Sequence, residues 1–492
     1  MNHGRMNPER VNAEPLLAGE RNDRKMNARL MIAGTHSGCG KTTLTLALLS
    51  ALKERGLSIA AAKCGPDYID PAFHREILNL PSRNLDPFFL DQAALRGALA
   101  ENSGRVTLIE GVMGFYDGVG PEGRYGSFDL AAETDTPVLL VLPGRGLAQS
   151  LQAMLRGYLQ LKKPKLIRGF IVNGGSPMMA SLFETIAQEE GVAFLGIFPH
   201  VPELEIPEGR LGLKAAVEIE NLQGKLRELG RLAETQLKLE TLVEIAKTAP
   251  PLDVCKACPD VMKMAGKSSQ GSESFRVAVA RDRVFDKIYP ENLRALEEAG
   301  CKLVFFSPLS AASLPQGVEG LYLPGGSIED GAEQLSANEC LRRDIAEAVA
   351  AGLPTLAEQG GAAYLHRDFN GLPMVGAVPA SVISSEQLQS FGYGFLQAKK
   401  DQLLGPSDSE IRVHEFHRYR STLPESACAC HSRKASGRQA KDGVYATETL
   451  WAGFPQLYFP SDPALLAHFR TALQRYRDAS AGIAAGKRPV EK

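Results

Sequence analysis

The sequence predicts an α/β protein with two parallel-sheet domains, on three features of this 492-residue chain. Short apolar runs without inside–outside alternation recur between stretches of helical periodicity, the pattern of strands buried on both faces. A glycine-rich turn joins the first run to the first helical stretch, "ARLMIAG" (28–34) to "KTTLTLALLSALKERG" (41–56). Composition then breaks at "TAPPLDVCKACPDVMKMAGKSSQGSES" (248–274), rich in Pro, Ser, Gly and Lys, and a second strand–helix alternation follows it. The length exceeds one ordinary core.

Taken in order, residues 1–27 are polar and charged, lack the apolar run of a secretory signal, and read as a disordered tail. After the first strand and helix, "LSIAAAKCG", "VTLIEG", "PVLLVL", "IRGFIVNGG" and "VAFLGIFP" are strand candidates, with helices over 147–161 and 178–190. Residues 213–247 read as helix, closing a first domain over 28–247; 248–274 is a linker. The second domain, 275–478, begins with "FRVAVARD" and continues with "CKLVFFSP", "EGLYLPGG", a helix over 332–351 and "LPTLAEQGG"; 424–443 is a polar loop, and 479–492 a frayed tail.

Hydrophobic content of 44% and charged content of 23% are those of a globular protein, and a net charge of −2 makes no electrostatic case for nucleic acid or a membrane surface. No apolar run approaches the roughly 20 residues that span a bilayer. Eight dispersed cysteines without a signal point to the reducing cytoplasm. Cys255-x-x-Cys258 and Cys428-x-Cys430-His431 could be halves of a metal site, but their polar surroundings favour free surface thiols.

The chemistry concentrates in two places. "GTHSGCGKTT" (34–43) has the strand–loop–helix setting of a phosphate loop, with Thr35 where the strict pattern has Gly. Its backbone amides, Gly38 and Gly40 included, and Lys41 would hold the phosphates, and Thr42 would place its hydroxyl on Mg²⁺. "KCGPDYIDPAFH" (63–74) sets Asp67 and Asp70 three residues apart, and "IEGVMGFYDG" (109–118) puts Glu110 at the carboxyl end of a strand. Carboxylates beside a triphosphate repel it unless a divalent cation intervenes, which makes Thr42, Asp67 and Glu110 the candidate Mg²⁺ ligands. The second place is "LPTLAEQGGAAYL" (353–365), which has the outline of a nucleophile elbow with Gln359 at its tip, a side chain that cannot attack a carbonyl.

"GTHSGCGKTT", "KCGPDYIDPAFH", "RNLDPFF", "EGVMGFYDG", "PVLLVL" and "IVNGG", followed by "FRVAVARDRVFDKIYPENLRALEEAGCKLVFFSPLS", "LPQGVEGLYLPGG" and "VHEFHRYRS", together resemble the cobyrinic acid a,c-diamide synthase family over about residues 28–465. The resemblance implies an N-terminal P-loop NTPase domain of the dethiobiotin-synthetase type and a C-terminal flavodoxin-like domain of the class I glutamine amidotransferase type. It implies an ATP- and Mg²⁺-dependent ligase that activates a tetrapyrrole carboxylate as an acyl phosphate and displaces phosphate with ammonia. Lys41, Asp67, Asp70 and Glu110 are then the catalytic set, and Gly38, Gly40, Lys41, Thr42, Thr43 and Lys63 the ATP-binding set.

The family makes its ammonia with a Cys in Ala-Glu-Cys-Gly-Gly and a His near a later Pro; here those positions are Gln359 and Gln456, and the second His is Tyr458. Gly325-Gly326 lies where the family has its oxyanion-hole loop, and His414-Glu415-Phe416-His417 matches its HEFH. "PEGR" (207–210) and "GSFD" (126–129) depart from the family pattern and bear on the substrate. The expectation is a ligase that uses free ammonia, or ammonia from a separate partner, with no glutaminase of its own, and with a homodimer as a further possible assembly. The alternatives are amidation of another tetrapyrrole, of the sirohaem or nickel-sirohydrochlorin type, and a non-catalytic nucleotide-binding paralogue.

Overall fold

The computed structural model describes residues 28–484 except 103–105, 207, 210–211, 214–218, 220, 253–273 and 439; for 208–209, 212–213 and 482–484 it describes backbone only. The expected N-terminal tail, most of the linker with Cys255 and Cys258, the last residues of the C-terminal tail, and Pro207 and Arg210 lie outside the described residues.

The first half is built on seven strands: β1 (Ala28–Gly34), β2 (Ile59–Cys64), β3 (Ser82–Leu85), β4 (Val106–Glu110), β5 (Val138–Pro143), β6 (Ile167–Asn173) and β7 (Ala193–Phe198). They form one parallel sheet in the order β3-β2-β4-β1-β5-β6-β7. In β1, Leu30 and Ile32 enter one hydrophobic core while Met31 and Ala33 enter the other. Both faces are therefore covered, which is why the strand reads as an unbroken apolar run. Helix α1 (Lys41–Glu54) covers one face together with Leu222–Gln236 and Leu239–Lys247. The single helix expected over 213–247 is thus two. At the break Leu237 is extended and bridges Gly196, and the Lys238 amide donates to the Leu195 carbonyl at 2.8 Å. The open edge of β7 captures the chain there, and edge pairing overrides helical periodicity. A small hairpin, β8 (Glu208–Gly209) and β9 (Gly212–Leu213), precedes these helices.

The second half has a six-stranded sheet in the order β11-β10-β12-β13-β22-β21, parallel except for its last pair. Its strands are β10 (Phe275–Ala280), β11 (Cys301–Phe306), β12 (Gly320–Leu323), β13 (Thr355–Glu358), β21 (Tyr445–Ala446) and β22 (Leu450–Gly453). Two four-stranded sheets are added to it. One contains β14 (His366–Phe369), β15 (Leu372–Pro373), β16 (Val378–Ser384) and β19 (Tyr419–Ser421). The other contains β17 (Ser390–Ala398), β18 (Glu410–His417), β20 (Cys430–Lys434) and β23 (Gln456–Leu457).

Four local expectations change. The helix expected over 332–351 is divided at Asn338, whose side chain caps Glu339–Ala350 through the Leu341 amide and ties down the carbonyls of Pro308 and Ala311. The loop expected over 424–443 contains β20, paired with β17. That pairing buries Cys428 and Cys430, so they are not surface thiols, and burial pushes the Cys430 thiol up to about 12. The final helix runs Pro463–Ala484, past the expected start of the tail at 479. No helix among the described residues is long and apolar enough to cross a membrane.

Candidate active site

Parallel register gathers the first site. Lys63 of β2 pairs with Glu110 of β4, and Glu110 with Ile32 of β1, so the loops after three adjacent strands open on one side. Gly40 ends the loop at φ 91°, and a Cβ there would lie 2.2 Å from the Asn173 amide, so the turn accepts only glycine. Lys41, Thr42 and Thr43 begin α1, and Gly38 also has positive φ. Lys41 is buried, with burial lowering its pKa, and its ammonium donates to the His36 carbonyl at 3.0 Å.

The acids predicted from sequence converge, with Lys63 among them. Its ammonium lies 2.5 Å from Asp70 Oδ2, 2.8 Å from Glu110 Oε1 and 3.9 Å from Asp67 Oδ2. Thr42 Oγ1 donates to Glu110 Oε1 at 2.6 Å. Asp67 Oδ1 accepts the amides of Ile69 and Asp70 at 2.8 and 3.1 Å, which rigidifies its turn. Burial alone would lower Lys63, but Asp70, Glu110 and Asp67 hold it well above its ordinary value. Burial and then the Asp70 charge push Glu110 up to about 7 and Asp67 to about 6, while Lys63 overcomes burial to hold Asp70 low.

The donor set is one that magnesium could occupy. Glu110 Oε2 is fully buried and receives no hydrogen bond, an orphaned anionic oxygen that a cation would satisfy. Three carboxyls against one ammonium make the cluster net acidic, an excess that a cation would offset. Among the described residues no three His, Cys, Asp or Glu side chains form a complete metal cage. Magnesium does not need one, since it is ordinarily held by one or two carboxylates plus substrate phosphates and water. The donor set fits Mg²⁺, which Thr42, Asp67 and Glu110 would hold.

The second site lies at the ends of β12, β13 and β22, adjacent in their sheet. Gln359 has φ 45°, the left-handed backbone of an elbow, which costs on the order of 1–3 kcal/mol in a non-glycine residue. The turn leaves no room around it: a Cβ on Gly361 would lie 2.1 Å from the Leu323 carbonyl oxygen, and one on Gly360 2.6 Å from that of Gly326. Gln359 Nε2 donates to the Phe416 carbonyl at 2.6 Å, and Gln456 Nε2 donates to Gln359 Oε1 at 3.2 Å across 97 residues of sequence. A neutral amide pair therefore occupies the tip of the elbow, walled by Gly325. His414 stands opposite Gln456 in the β18–β23 ladder, with burial lowering it to about 4 and no hydrogen bond to its Nδ1.

The residues that join the two sites show no chemical role in the sequence. Asp86, inside "RNLDPFF", is buried and accepts from the Tyr393 hydroxyl at 2.9 Å and the Phe88 amide at 2.9 Å; burial raises it to about 7. Phe88 stacks on Tyr393 at 4.4 Å, Arg412 donates to the Phe88 carbonyl, and Glu291 accepts the Asn84 amide at 3.1 Å. The "LDPFF" stretch is thus the first half's face toward the second. An Asp-Pro in a run of aromatics is the one local signal that could have marked it.

Residues 30–211 match the CobQ/CobB/MinD/ParA nucleotide binding domain, and residues 276–461 match the CobB/CobQ-like glutamine amidotransferase domain. The chain is 39% identical over 396 residues to a cobyrinate a,c-diamide synthase of Caldanaerobacter subterraneus subsp. tengcongensis, covering 79% of this chain and 85% of that protein. It is 33% identical over 470 residues to the cobyrinate a,c-diamide synthase of Priestia megaterium (92% and 99% covered), and 34% over 457 residues to that of Thermoplasma volcanium (91% and 98%).

Proposed function

The chain belongs to the cobyrinate a,c-diamide synthase family, and from that premise we propose that it amidates the a and c carboxylates of cobyrinic acid in cobalamin biosynthesis, using ATP, Mg²⁺ and free ammonia. Membership makes it a C–N ligase with a nucleotide-binding half and an amidotransferase-like half. The reading beyond that is carried by one contrast: the charged cluster at the phosphate loop is complete, while the elbow holds a Gln359–Gln456 amide pair.

A carboxylate resists attack by ammonia, so it is first activated. Its oxygen attacks the γ-phosphorus of ATP, the bond to the β-phosphate oxygen breaks, and an acyl phosphate and ADP result. The glycine-rich loop and α1 hold the phosphates, and Lys41 exchanges the His36 carbonyl for a phosphate oxygen. Mg²⁺ supplies charge neutralisation at the transferred phosphoryl group. Lys63 keeps Asp70 and Glu110 together at a separation their repulsion would otherwise open. Ammonia then forms the C–N bond, and phosphate leaves with the C–O electron pair.

Glutamine hydrolysis by the family's route needs a thiolate at the elbow and a base beside it, and an amide supplies neither function. The experiment supplies cobyrinic acid, ATP and Mg²⁺ with ammonium or with glutamine, following amides by mass and glutamate separately. Amide from ammonium with no glutamate release is expected. Glutamate release at an enzymatic rate would overturn the ammonia reading, and failure to amidate cobyrinic acid would overturn the substrate.

A further inference from the structure

Glu358 precedes the elbow residue, is 2% exposed, and makes no ion pair among the described residues. Its one side-chain hydrogen bond is from the Tyr322 hydroxyl at 3.3 Å, and the Leu457 backbone also favours its charged form. A buried carboxylate without a cation is costly unless something else supplies the proton or charge. The groups around it repeat the pattern. Tyr289, 1% exposed, lies within electrostatic reach of both Glu358 and Asp67, and its ring meets that of Tyr68 at 4.4 Å between centroids. The hydroxyls of Tyr68 and Tyr289 influence one another yet fall short of hydrogen-bonding geometry, and both are buried without a partner. Tyr68 sits in the turn between Asp67 and Asp70, so the two unpartnered hydroxyls adjoin the phosphate site on one side and lie within electrostatic reach of Glu358 on the other.

We propose that Glu358, with Tyr322 and Tyr289, is a binding site for ammonium, placed between the degenerate elbow and the ATP site. The proposal rests on the ammonia-dependent ligase reading above. Ammonium carries four N–H donors and suits a carboxylate, tyrosine oxygens and aromatic faces together. Tyr322 from β12 touches Glu358, and Tyr289, from the segment before the Pro290–Glu298 helix, and Tyr68, from the first half, lie within its electrostatic reach; none is cationic. Burial raises the Glu358 carboxyl to about 8, a far stronger base than an exposed one. One ammonium proton passes to a Glu358 oxygen, leaving neutral ammonia with its lone pair free. Ammonia moves past Tyr289 and Tyr68 to the acyl carbon, forms the C–N bond, and its surplus proton leaves with the phosphate. Glu358 returns its own proton to solvent before the next turnover.

The test uses the full chain, and ammonium chloride is the probe. In thermal unfolding without nucleotide, ammonium should raise Tm above sodium and tetramethylammonium chlorides at equal ionic strength, and Glu358→Gln should abolish that difference. In the ligase assay Glu358→Gln should raise KM for ammonium about tenfold or more, the loss expected on removing a charged hydrogen-bond partner, with KM for ATP unmoved. Tyr289→Phe should raise it less, and serves if Glu358→Gln does not fold. No ammonium-specific Tm rise in the wild type, or one retained in Glu358→Gln, overturns the site, as does an unchanged KM for ammonium. A wild type that binds ammonium through Glu358 but forms no amide leaves the site standing and removes the ligase reading.

Discussion

Lys63→Met tests the electrostatic core of the nucleotide site. The substitution keeps much of the side-chain volume and removes the one ammonium that, among the described residues, forms ion pairs with Asp67, Asp70 and Glu110. The side chains of Asp70 and Glu110 are 7% and 0% exposed, so water cannot take over its role. Breaking a buried pair from one side costs about 3–5 kcal/mol. There is also a ceiling: the variant can neutralise Asp70, the carboxyl that Lys63 holds low, by protonating it, which for an ordinary aspartate at pH 7.5 costs about 5 kcal/mol. The expected loss near pH 7.5 without Mg²⁺ is therefore about 3–5 kcal/mol. In the variant the largest opposition to burial is gone, with only weaker partners such as Thr42 and His74 left, so the folded-state values of Asp70 and Glu110 lie above their unfolded ones. Stability of that kind is present below the unfolded values and lost as pH rises through the folded ones, so the deficit should shrink toward pH 5. Urea unfolding of both proteins at pH 5.0 and 7.5 in chelator measures it, using the first transition of this two-domain chain, and Mg²⁺ should recover more stability in the variant than in the wild type. A deficit under about 1 kcal/mol at pH 7.5, or one equal at both pH values, would show that Lys63 does not balance these acids.

Three other substitutions probe the remaining links. Lys41→Ala should lower ATP turnover at least about a hundredfold, by loss of the positive charge at the outer phosphates; an unchanged rate would put the nucleotide elsewhere. Glu110→Gln should raise the Mg²⁺ concentration for half-maximal rate and lower the rate together, and an identical Mg²⁺ titration would place the ion on other ligands. Tyr393→Phe removes a donor from buried Asp86 and should destabilise the protein by about 1–3 kcal/mol in chemical unfolding at pH 8, where Asp86, raised to about 7, is mostly ionised. Because protonated Asp86 does not need that donor, the loss should fall at pH 6, and a loss that grows on acidification would contradict the role.

The strands, the phosphate loop and the elbow were legible because each is written in contiguous residues. Apolar runs without alternation announce a sheet covered on both faces, and glycines beside Lys41 and Gln359 announce turns that tolerate no other backbone. The absence of a thiol at 359 is likewise a fact of the chain alone. Through-space pairing decided the rest. Sheet register, with β2 beside β4, is what puts Lys63 on Glu110, and the meeting of Gln359 with Gln456 depends on how β23 lies along β18. Asp86 and Tyr393 are 307 residues apart, and nothing near either one predicts the other. The breaks at Leu237 and Asn338 were hidden for the same reason, since helical periodicity continues through both and the competing partners are a strand edge and two distant carbonyls. Local pattern sets which backbone each segment prefers, but burial and partnership set the charge on Glu110, Asp86 and Glu358, and those belong only to the folded chain.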